Sequence, residues 1–342
     1  MRGAPMTTET SDQTAHSVRM MELLTGFQMS QAVFVAAELD LATLLLDGPR
    51  TVADLAQRVG ADADALTRVI RILVPYGVFE LTSGLVSVTP LGKSLASGVP
   101  GSVRDIARYF RQTHYLPFQD LLHTARTGQP AARHHLGMPF FDWITESDHL
   151  TRLQNSAMAA GLGGRDDDFF DGYDLPPGEV VADIGGSDGT VLLRLLARYP
   201  ARAGILFDLP EVVAGATSKV AAADDDRVRV VGGSFFDTVP AADIYILSVV
   251  LHNWDDTQAG RILANIARSA PARARLVLIE MVLPDETASA FTAAIDLTML
   301  AMLGGRERTA TEWRDLLGRN GFTLNRVVPT PTPFAIIEAT LR

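Results

Sequence analysis

The sequence predicts an α/β protein of two domains, with a mainly helical N-terminal half followed by a mostly parallel sheet. Apolar residues recur at helical spacing through residues 18–46, which predicts helices there. From Glu179 onward, short apolar runs alternate with helical stretches, a pattern typical of parallel strands that helices cover on both faces. The chain of 342 residues is long enough for about two domains and a substantial core.

Composition limits the classes of function. Hydrophobic residues make up 47% of the chain and charged residues 20%, which indicates a globular protein. The formal net charge of −10 argues against nucleic acid or an anionic membrane as a partner. The chain has no cysteine, so disulfides, thiolate metal sites and cysteine nucleophiles are excluded. No signal-peptide pattern or membrane-spanning apolar run occurs, and we therefore expect a cytoplasmic protein.

The helical half is predicted to span residues 18–160 and to follow a polar, disordered tail at residues 1–17. Within it, residues 51–98 have the order helix, helix, hairpin, which is a winged-helix pattern. Thr51 and Asp54 form a capping box that begins the first helix. The other signals are the helix end at Gly60, the cap of the second helix at Asp62 or Asp64, and the hairpin turn at Ser83-Gly84.

A winged-helix pattern raises the alternative of a ligand-responsive regulator that binds DNA. Such a domain needs a basic surface, but the charges of residues 51–98 cancel. The balanced residues are Arg58, Arg68, Arg71 and Lys93 against Asp54, Asp62, Asp64 and Glu80. We therefore predict a packing or dimerisation module without nucleic-acid binding.

The second domain is predicted over residues 161–342 and begins with a segment rich in glycine, aspartate and proline. Its predicted strands are Val180–Ile184, 204–207, 228–231, 244–249, 276–279 and 334–339. Its predicted helices include 191–198, 257–269 and 311–319. In such sheets, ligands bind at the carboxyl ends of the strands.

The first predicted strand of this domain runs into an acid, Asp183, and a turn rich in glycine. The glycines let backbone N–H groups approach a ligand closely, and they are Gly185, Gly186 and Gly189. Asp208 ends the next strand, 25 positions after Asp183, and is placed to bind the hydroxyls of a ribose. The glycine spacing disfavours a nicotinamide oxidoreductase. A carboxylate at Asp183 suits a cofactor with a positively charged amino-acid end, which favours S-adenosylmethionine.

Five segments carry a family resemblance. They are Ala-Asp-Ile-Gly-Gly-Ser-Asp-Gly at 182–189, Phe-Asp-Leu-Pro at 207–210, Gly-Gly-Ser-Phe-Phe at 232–236, Val-Leu-His-Asn-Trp-Asp-Asp at 250–256 and Gly-Gly-Arg-Glu-Arg-Thr at 304–309. In this order they resemble motifs of the two-domain small-molecule O-methyltransferases of plant phenylpropanoid and bacterial antibiotic pathways. The resemblance implies a Rossmann-like methyltransferase sheet and an N-terminal, winged-helix-like dimerisation and substrate-lid domain. It also implies a homodimer.

The resemblance assigns roles to particular residues. His252 corresponds to the general base, with Glu280 and Glu307 as the carboxylates that flank and orient it. A base helps because a phenol is mostly protonated at neutral pH. The cofactor set is Asp183, Gly185, Gly186, Gly189, Asp208, Leu209, Ser234, Phe235 and Ser248. Three positions depart from the family pattern: Ser187 replaces a glycine, Ser234 an aspartate that holds the adenine, and Asn253 the aspartate after the base.

The substrate is predicted to be a small aromatic molecule. Methionine adapts to irregular apolar ligands, and the predicted contacts are Met158, Asn253, Met299 and Met302, with Phe141 and Trp143 as further wall residues. We predict no metal. The predicted reaction is methylation of a hydroxyl on a secondary metabolite such as a polyketide or antibiotic intermediate. Methylation at carbon or nitrogen, and a repurposed relative that does not methylate, remain alternatives.

Overall fold

The computed structural model describes residues 9–163, 170–222 and 226–342. These residues divide into two compact units, the first made of 9–112 with 156–163 and the second of the remainder. The second unit thus includes residues 113–155, which the sequence assigned to the helical half, and the predicted boundary at residue 160 stays a prediction. In the described part of the chain, no helix is long and apolar enough to cross a membrane.

The first unit contains three N-terminal helices and a small winged-helix-like element. The helices are α1 (Glu9–Leu24), α2 (Gly26–Glu38) and α3 (Leu41–Leu44). The following elements are β1 (Arg50–Thr51), α4 (Val52–Val59), α5 (Ala63–Leu73), β2 (Phe79–Thr82), β3 (Leu85–Val88) and α6 (Arg104–Thr113). The three strands form an antiparallel sheet in the order β1-β3-β2.

Local signals in the sequence account for these elements. The Thr51 hydroxyl accepts a hydrogen bond from the Asp54 amide at 3.1 Å, which begins α4 as predicted. Gly60 ends α4 with a φ of 66°, a left-handed conformation that glycine adopts without strain. Of the two proposed caps of α5, Asp62 is the one that accepts from the helix. The hairpin turns at Gly84, whose φ is 79°.

The predicted tail is wrong between residues 9 and 17, which form the first half of α1. Neither proline nor glycine occurs in this stretch, so nothing in it interrupts a helix that continues into the apolar residues that follow. Polarity alone does not exclude a helix. The rest of the predicted tail, residues 1–8, lies outside the described residues.

The second unit begins with short helices and ends in the large sheet. Its helices are α7 (Leu121–Thr127), α8 (Ala131–Leu136), α9 (Phe140–Thr145), α10 (Asp148–Gly163, continuing into the first unit), α11 (Thr190–Arg198), α12 (Pro210–Ala222), α13 (Asp256–Ser269), α14 (Ala290–Met302) and α15 (Ala310–Arg319). Its strands are β4 (Val180–Ile184), β5 (Ala203–Asp208), β6 (Val228–Gly232), β7 (Ile244–Ser248), β8 (Arg275–Glu280), β9 (Val282–Leu283), β10 (Arg308–Thr309), β11 (Phe322–Pro329) and β12 (Ala335–Leu341).

Seven of these strands form one sheet in the order β11-β12-β8-β7-β4-β5-β6. The five strands from β8 to β6 are parallel, whereas β11 and β12 run antiparallel at one edge. The predicted mostly parallel sheet is therefore confirmed. Strands β4, β5, β7 and β8 lie side by side, so their carboxyl ends bring Asp183, Asp208, Ser248 and Glu280 to one edge of the sheet.

Candidate active site

Asp208 ends β5 with both carboxylate oxygens anchored by the backbone. Oδ2 accepts from the amide of Ser187 at 2.9 Å, and Oδ1 accepts from the amide of Leu209 at 2.7 Å. Burial raises the pKa of Asp208, and these two hydrogen bonds oppose that rise by stabilising the carboxylate. Each oxygen keeps further acceptor capacity for a ligand. The amide that Ser187 donates is a backbone group, so the serine at this position does not disrupt the anchoring of Asp208.

Asp183 lies at the end of β4 and is buried, with an exposed fraction of 1%. Neither of its carboxylate oxygens makes a hydrogen bond of ordinary geometry, and the buried hydroxyl of Ser248 on the neighbouring strand β7 also lacks a partner. Burial, with a smaller contribution from the carboxylate of Asp208, raises the pKa of Asp183 to about 7, against the lowering effect of the Leu192 amide. Buried polar groups without partners are costly. They fit a site that a polar, positively charged ligand group completes.

The glycine turn is packed too closely for larger residues. A Cβ at Gly186 would lie 2.7 Å from the Asp183 carboxylate, and one at Gly185 would lie 2.9 Å from Val250. Gly185 also adopts a φ of 73°. The same turn contacts Phe235, since a Cβ at Gly185 would lie 3.8 Å from its ring. The predicted cofactor residues at 185 and 235 are therefore close together.

His252, Glu280 and Glu307 form a buried cluster, although 55 positions of sequence separate His252 from Glu307. Nδ1 of His252 lies 2.7 Å from Oε1 of Glu307 and 3.9 Å from Oε2 of Glu280. The other oxygen of Glu280 accepts hydrogen bonds from the amides of Val250 at 3.2 Å and Leu251 at 2.8 Å. A neutral His252 that donates from Nδ1 to Glu307 presents Nε2 as a hydrogen-bond acceptor.

The two carboxylates set the electrostatics of this cluster. Burial acts to lower the pKa of His252, but Glu280 and Glu307 outweigh it, so the net shift is upward. Burial raises the pKa of Glu280 to about 7, against the opposing effect of His252. The cluster therefore stabilises a positive charge on the imidazole.

The turn that carries His252 is held by the chain around residues 305–308. The amide of Arg306 donates to the carbonyl of His252 at 2.9 Å. The fully buried guanidinium of Arg308 donates to the carbonyls of Leu251 at 3.2 Å and Trp254 at 2.9 Å, and it pairs with Asp256. Sequence reasoning missed this role for Arg308, because every residue has a backbone carbonyl and the sequence does not show which ones an arginine binds.

Gly305 permits the close approach of these two segments. A Cβ at this position would lie 2.1 Å from the carbonyl oxygen of His252 and 2.5 Å from the carbonyl carbon of Asn253, both backbone atoms. We expect Gly305→Ala to lower the free energy of unfolding by about 1–3 kcal/mol, as overpacking does, in chemical denaturation. The matched control is Gly318→Ala in α15, where a Cβ meets nothing within 4 Å. Equal stability of the two variants would contradict this prediction.

The predicted substrate residues are placed differently from one another. Met302 is 2% exposed and Met299 is half-buried, both on α14. The ring of Phe141 lies 6.5 Å from that of Trp254, two positions after His252. Met158 belongs to the first unit and is 38% exposed. The contacts of these residues with a substrate stay predictions.

The residues that could hold a metal ion are the same cluster. Within the described ranges, His252, Glu280 and Glu307 form one group whose ligand atoms all lie within 4.8 Å of one another. The separation of 2.7 Å between Nδ1 and Oε1 is that of a hydrogen bond. This geometry fits a proton shared between His252 and Glu307, and the expected absence of a metal stays a prediction.

The fold and this site define the class: a methyltransferase that depends on S-adenosylmethionine. A model of the O-methyltransferase domain matches residues 118–323, and a model of the O-methyltransferase dimerisation domain matches residues 21–98. The chain belongs to the O-methyltransferase family defined by these two domains. The family resemblance of the five sequence motifs is thereby confirmed.

The chain is similar along nearly its whole length to enzymes of antibiotic biosynthesis. Phenazine O-methyltransferase PhzM of Lysobacter antibioticus is 38% identical over 323 residues, which cover 94% of this chain and 95% of that protein. The mitomycin 7-O-methyltransferase MmcR has a TM-score of 0.88 at 31% identity, covering 97% of this chain and 100% of that one. An O-methyltransferase from neocarzinostatin biosynthesis was solved in complex with S-adenosylmethionine and 2-hydroxy-5-methyl naphthoic acid. It has a TM-score of 0.79 at 31% identity, and the match covers 92% of this chain and 96% of that one.

Proposed function

We propose that the protein transfers the methyl group of S-adenosylmethionine to a hydroxyl of a small aromatic secondary metabolite, with His252 as the general base. The observation that carries this proposal is the buried hydrogen bond of 2.7 Å between His252 and Glu307. It lies at the same sheet edge as Asp183 and Asp208, as expected for a base beside a cofactor site.

The residues at the ends of β4 and β5 fit the cofactor. Asp208, fixed by two amides, would accept hydrogen bonds from the ribose hydroxyls. Asp183 would meet the positively charged amino-acid end, which supplies the partner that its carboxylate lacks. Ser234 and Phe235 would contact the adenine, in keeping with the resemblance. Bound there, S-adenosylmethionine supplies an electrophilic methyl carbon on a sulfonium.

His252 moves the proton of the acceptor. Nε2 would take the proton of the acceptor hydroxyl, while Nδ1–H remains bonded to Glu307. Glu307 and Glu280 stabilise the imidazolium that results, since both act to raise the pKa of His252. Glu307 therefore fixes the tautomer and Glu280 adds negative charge. No step of this mechanism uses a metal ion.

Aromatic and apolar side chains support an aromatic acceptor. Phe141 and Trp254 place rings close to the turn of His252, and Met299 offers an adaptable apolar surface. The naphthoic acid bound by the neocarzinostatin relative is an aromatic molecule with a hydroxyl. We therefore propose a hydroxylated aromatic acid or polyketide-type ring system as the acceptor class.

A homodimer is part of the proposal. Helices α1 and α2 expose six large apolar side chains, each more than half accessible: Val18, Met20, Met21, Leu23, Leu24 and Phe27. Such a patch marks an interaction surface, and four of its residues, Met21, Leu23, Leu24 and Phe27, lie in the segment that matches the dimerisation domain. Sedimentation of the purified chain tests the dimer, and a monomer at micromolar concentration would contradict it.

The central test uses S-adenosylmethionine with an isotope-labelled methyl group and a panel of hydroxylated aromatic acids and naphthols. We expect the label on an acceptor oxygen, located by mass spectrometry and NMR. Addition of EDTA should leave the rate unchanged, because the proposed mechanism uses no metal. Label on a carbon or nitrogen atom of the acceptor would refute O-methylation and support C- or N-methylation instead. Binding of S-adenosylhomocysteine with no transfer to any acceptor would favour a repurposed relative.

The affinity for S-adenosylhomocysteine should depend on pH through Asp183. Because burial and Asp208 raise the pKa of Asp183 to about 7, its ionised form predominates only above that pH. A carboxylate that binds a cation must be ionised, so affinity should rise as pH rises. We expect a Kd about tenfold weaker at pH 6 than at pH 8 by calorimetry. Asp183→Asn should remove this dependence, and an identical Kd for the wild type at both pH values would refute it.

A further inference from the structure

Val249 has an unusual, left-handed backbone conformation three positions before His252. It lies between the end of β7 and the turn of His252, with a φ of 50°. A β-branched residue in this left-handed region is strained, and such strain persists only where surrounding contacts impose it. The amide of Val249 donates to the carbonyl of Ile279 at 2.9 Å, which ties it to the neighbouring strand β8.

This left-handed residue determines where the next two amides point. The amides of Val250 and Leu251 both donate to Oε1 of Glu280, at 3.2 and 2.8 Å. Successive amides that follow a left-handed residue form a concave binding site for an anion. The carboxylate of Glu280 occupies that site, and its second oxygen faces Nδ1 of His252 at 3.9 Å.

Asn253 closes the turn from the other side. Its side-chain Nδ2 donates to the carbonyl of Val249 at 3.2 Å, and its backbone amide donates to the carbonyl of Val250 at 3.2 Å. An aspartate at this position has no N–H to donate from its side chain and would place an anionic oxygen against the carbonyl of Val249. The departure from the family pattern at position 253 thus coincides with a contact that requires an amide.

We propose that Asn253 is a positioning residue: its side-chain amide holds the left-handed turn at Val249 and, through that turn, the carboxylate of Glu280 beside His252. This inference rests on the proposed role of His252. It differs from the expected role of Asn253 as a substrate contact, because Nδ2 of Asn253 donates to the backbone of the turn. Loss of the amide loosens the turn and lowers kcat, while KM for the acceptor stays the same.

A double-mutant cycle with Val249→Gly tests this inference in the full-length enzyme. Glycine adopts a left-handed conformation without strain, so the turn then needs less support. We expect Asn253→Ala to lower kcat about tenfold in the wild-type background, the scale of one hydrogen bond, with KM unchanged. In the Val249→Gly background, Asn253→Ala should lower kcat by less than about threefold. A rise in KM of equal size in both backgrounds would instead assign Asn253 to the substrate and overturn the proposal.

Hydrogen exchange supplies a readout that does not depend on activity. In Asn253→Ala and Asn253→Asp, the amides of Val250 and Leu251 should exchange at least about tenfold faster than in the wild type, as a local opening becomes easier. The matched control is Asn320→Asp. The side-chain Nδ2 of Asn320 also donates to a backbone carbonyl, that of Leu316 at 2.8 Å, but at the end of α15. That variant should leave the exchange of both amides unchanged.

The two measurements separate failure of this inference from failure of the proposed function. A wild type that transfers no methyl group, yet shows faster exchange at Val250 and Leu251 on loss of the Asn253 amide, would refute the function of His252 and retain the positioning of the turn. An active wild type whose exchange and kcat do not respond to Asn253→Ala would refute the positioning role alone.

Discussion

Replacing His252 by alanine is expected to lower kcat by about 10²–10⁴-fold, the range of general base catalysis. Without Nε2 the hydroxyl proton has no acceptor in the cluster, while the proposed cofactor residues at β4 and β5 are unchanged. The Kd for S-adenosylhomocysteine should therefore stay within about twofold of the wild type. Single-turnover transfer of labelled methyl and calorimetry measure the two quantities.

A second histidine–carboxylate pair supplies the control. His135 lies 3.0 Å from Asp120, a pair that is half-buried and outside the proposed machinery. His135→Ala should leave kcat unchanged. If His252→Ala kept most of the wild-type rate, positioning of the substrate rather than proton transfer would account for catalysis.

The pH dependence of the rate follows from the same cluster. Because Glu280 and Glu307 outweigh burial and raise the pKa of His252 above its ordinary value of 6.5, the base is protonated at low pH. The rate should rise with pH and level off above that raised pKa. Glu307→Gln removes one of the raising charges, so its rate should begin to rise at a lower pH, with a smaller maximum because the tautomer is less well fixed.

Asp208→Ala is expected to raise the Kd for S-adenosylhomocysteine by at least about 100-fold. Two hydrogen bonds from ribose hydroxyls to a charged acceptor are lost, and a hydrogen bond to a charged group contributes roughly 1.5–3 kcal/mol. The amides of Ser187 and Leu209 also lose the acceptor that orients them. Asp208→Asn keeps one acceptor oxygen and should have an intermediate Kd. Calorimetry measures all three proteins.

The chain contains a matched carboxylate for this test. Oδ2 of Asp243 also accepts from two amides, those of Glu179 and Val180 at 2.9 Å, but at the opposite end of β4. Asp243→Ala should lower stability and leave the Kd unchanged. Equal loss of affinity in the Asp208 and Asp243 variants would show that both act by disturbing the fold. It would contradict a direct contact between Asp208 and the ribose.

The sequence predicted those parts of the fold that depend on local signals. The caps at Thr51 and Asp62 and the strand Val180–Ile184 carry their chemistry in a few consecutive residues. Strand β11 (Phe322–Pro329) was missed because its pattern is weakly apolar, as suits an edge strand with several exposed residues. Helix α14 (Ala290–Met302) was missed because its apolar residues do not follow one helical stripe.

The residues of the candidate site could be proposed from the sequence, but the contacts among them could not. Family motifs indicated His252, Glu280 and Glu307 as candidates, but the hydrogen bond from His252 to Glu307 rather than to Glu280 depends on the packing of the chain around residues 305–308. The left-handed conformation of Val249 is likewise invisible in the sequence, because valine is a residue that ordinarily avoids it.

The buried cluster of His252, Glu280 and Glu307 also constrains how the protein folds. His252, Glu280 and Glu307 follow β7, end β8 and precede β10, so three distant stretches of chain must meet before the imidazole has both carboxylates beside it. Contacts between distant stretches form slowly, because the intervening loops must close first. Recovery of methyl transfer during refolding should therefore lag behind recovery of the helical circular dichroism signal. The delay would measure how late the contacts among these three stretches form.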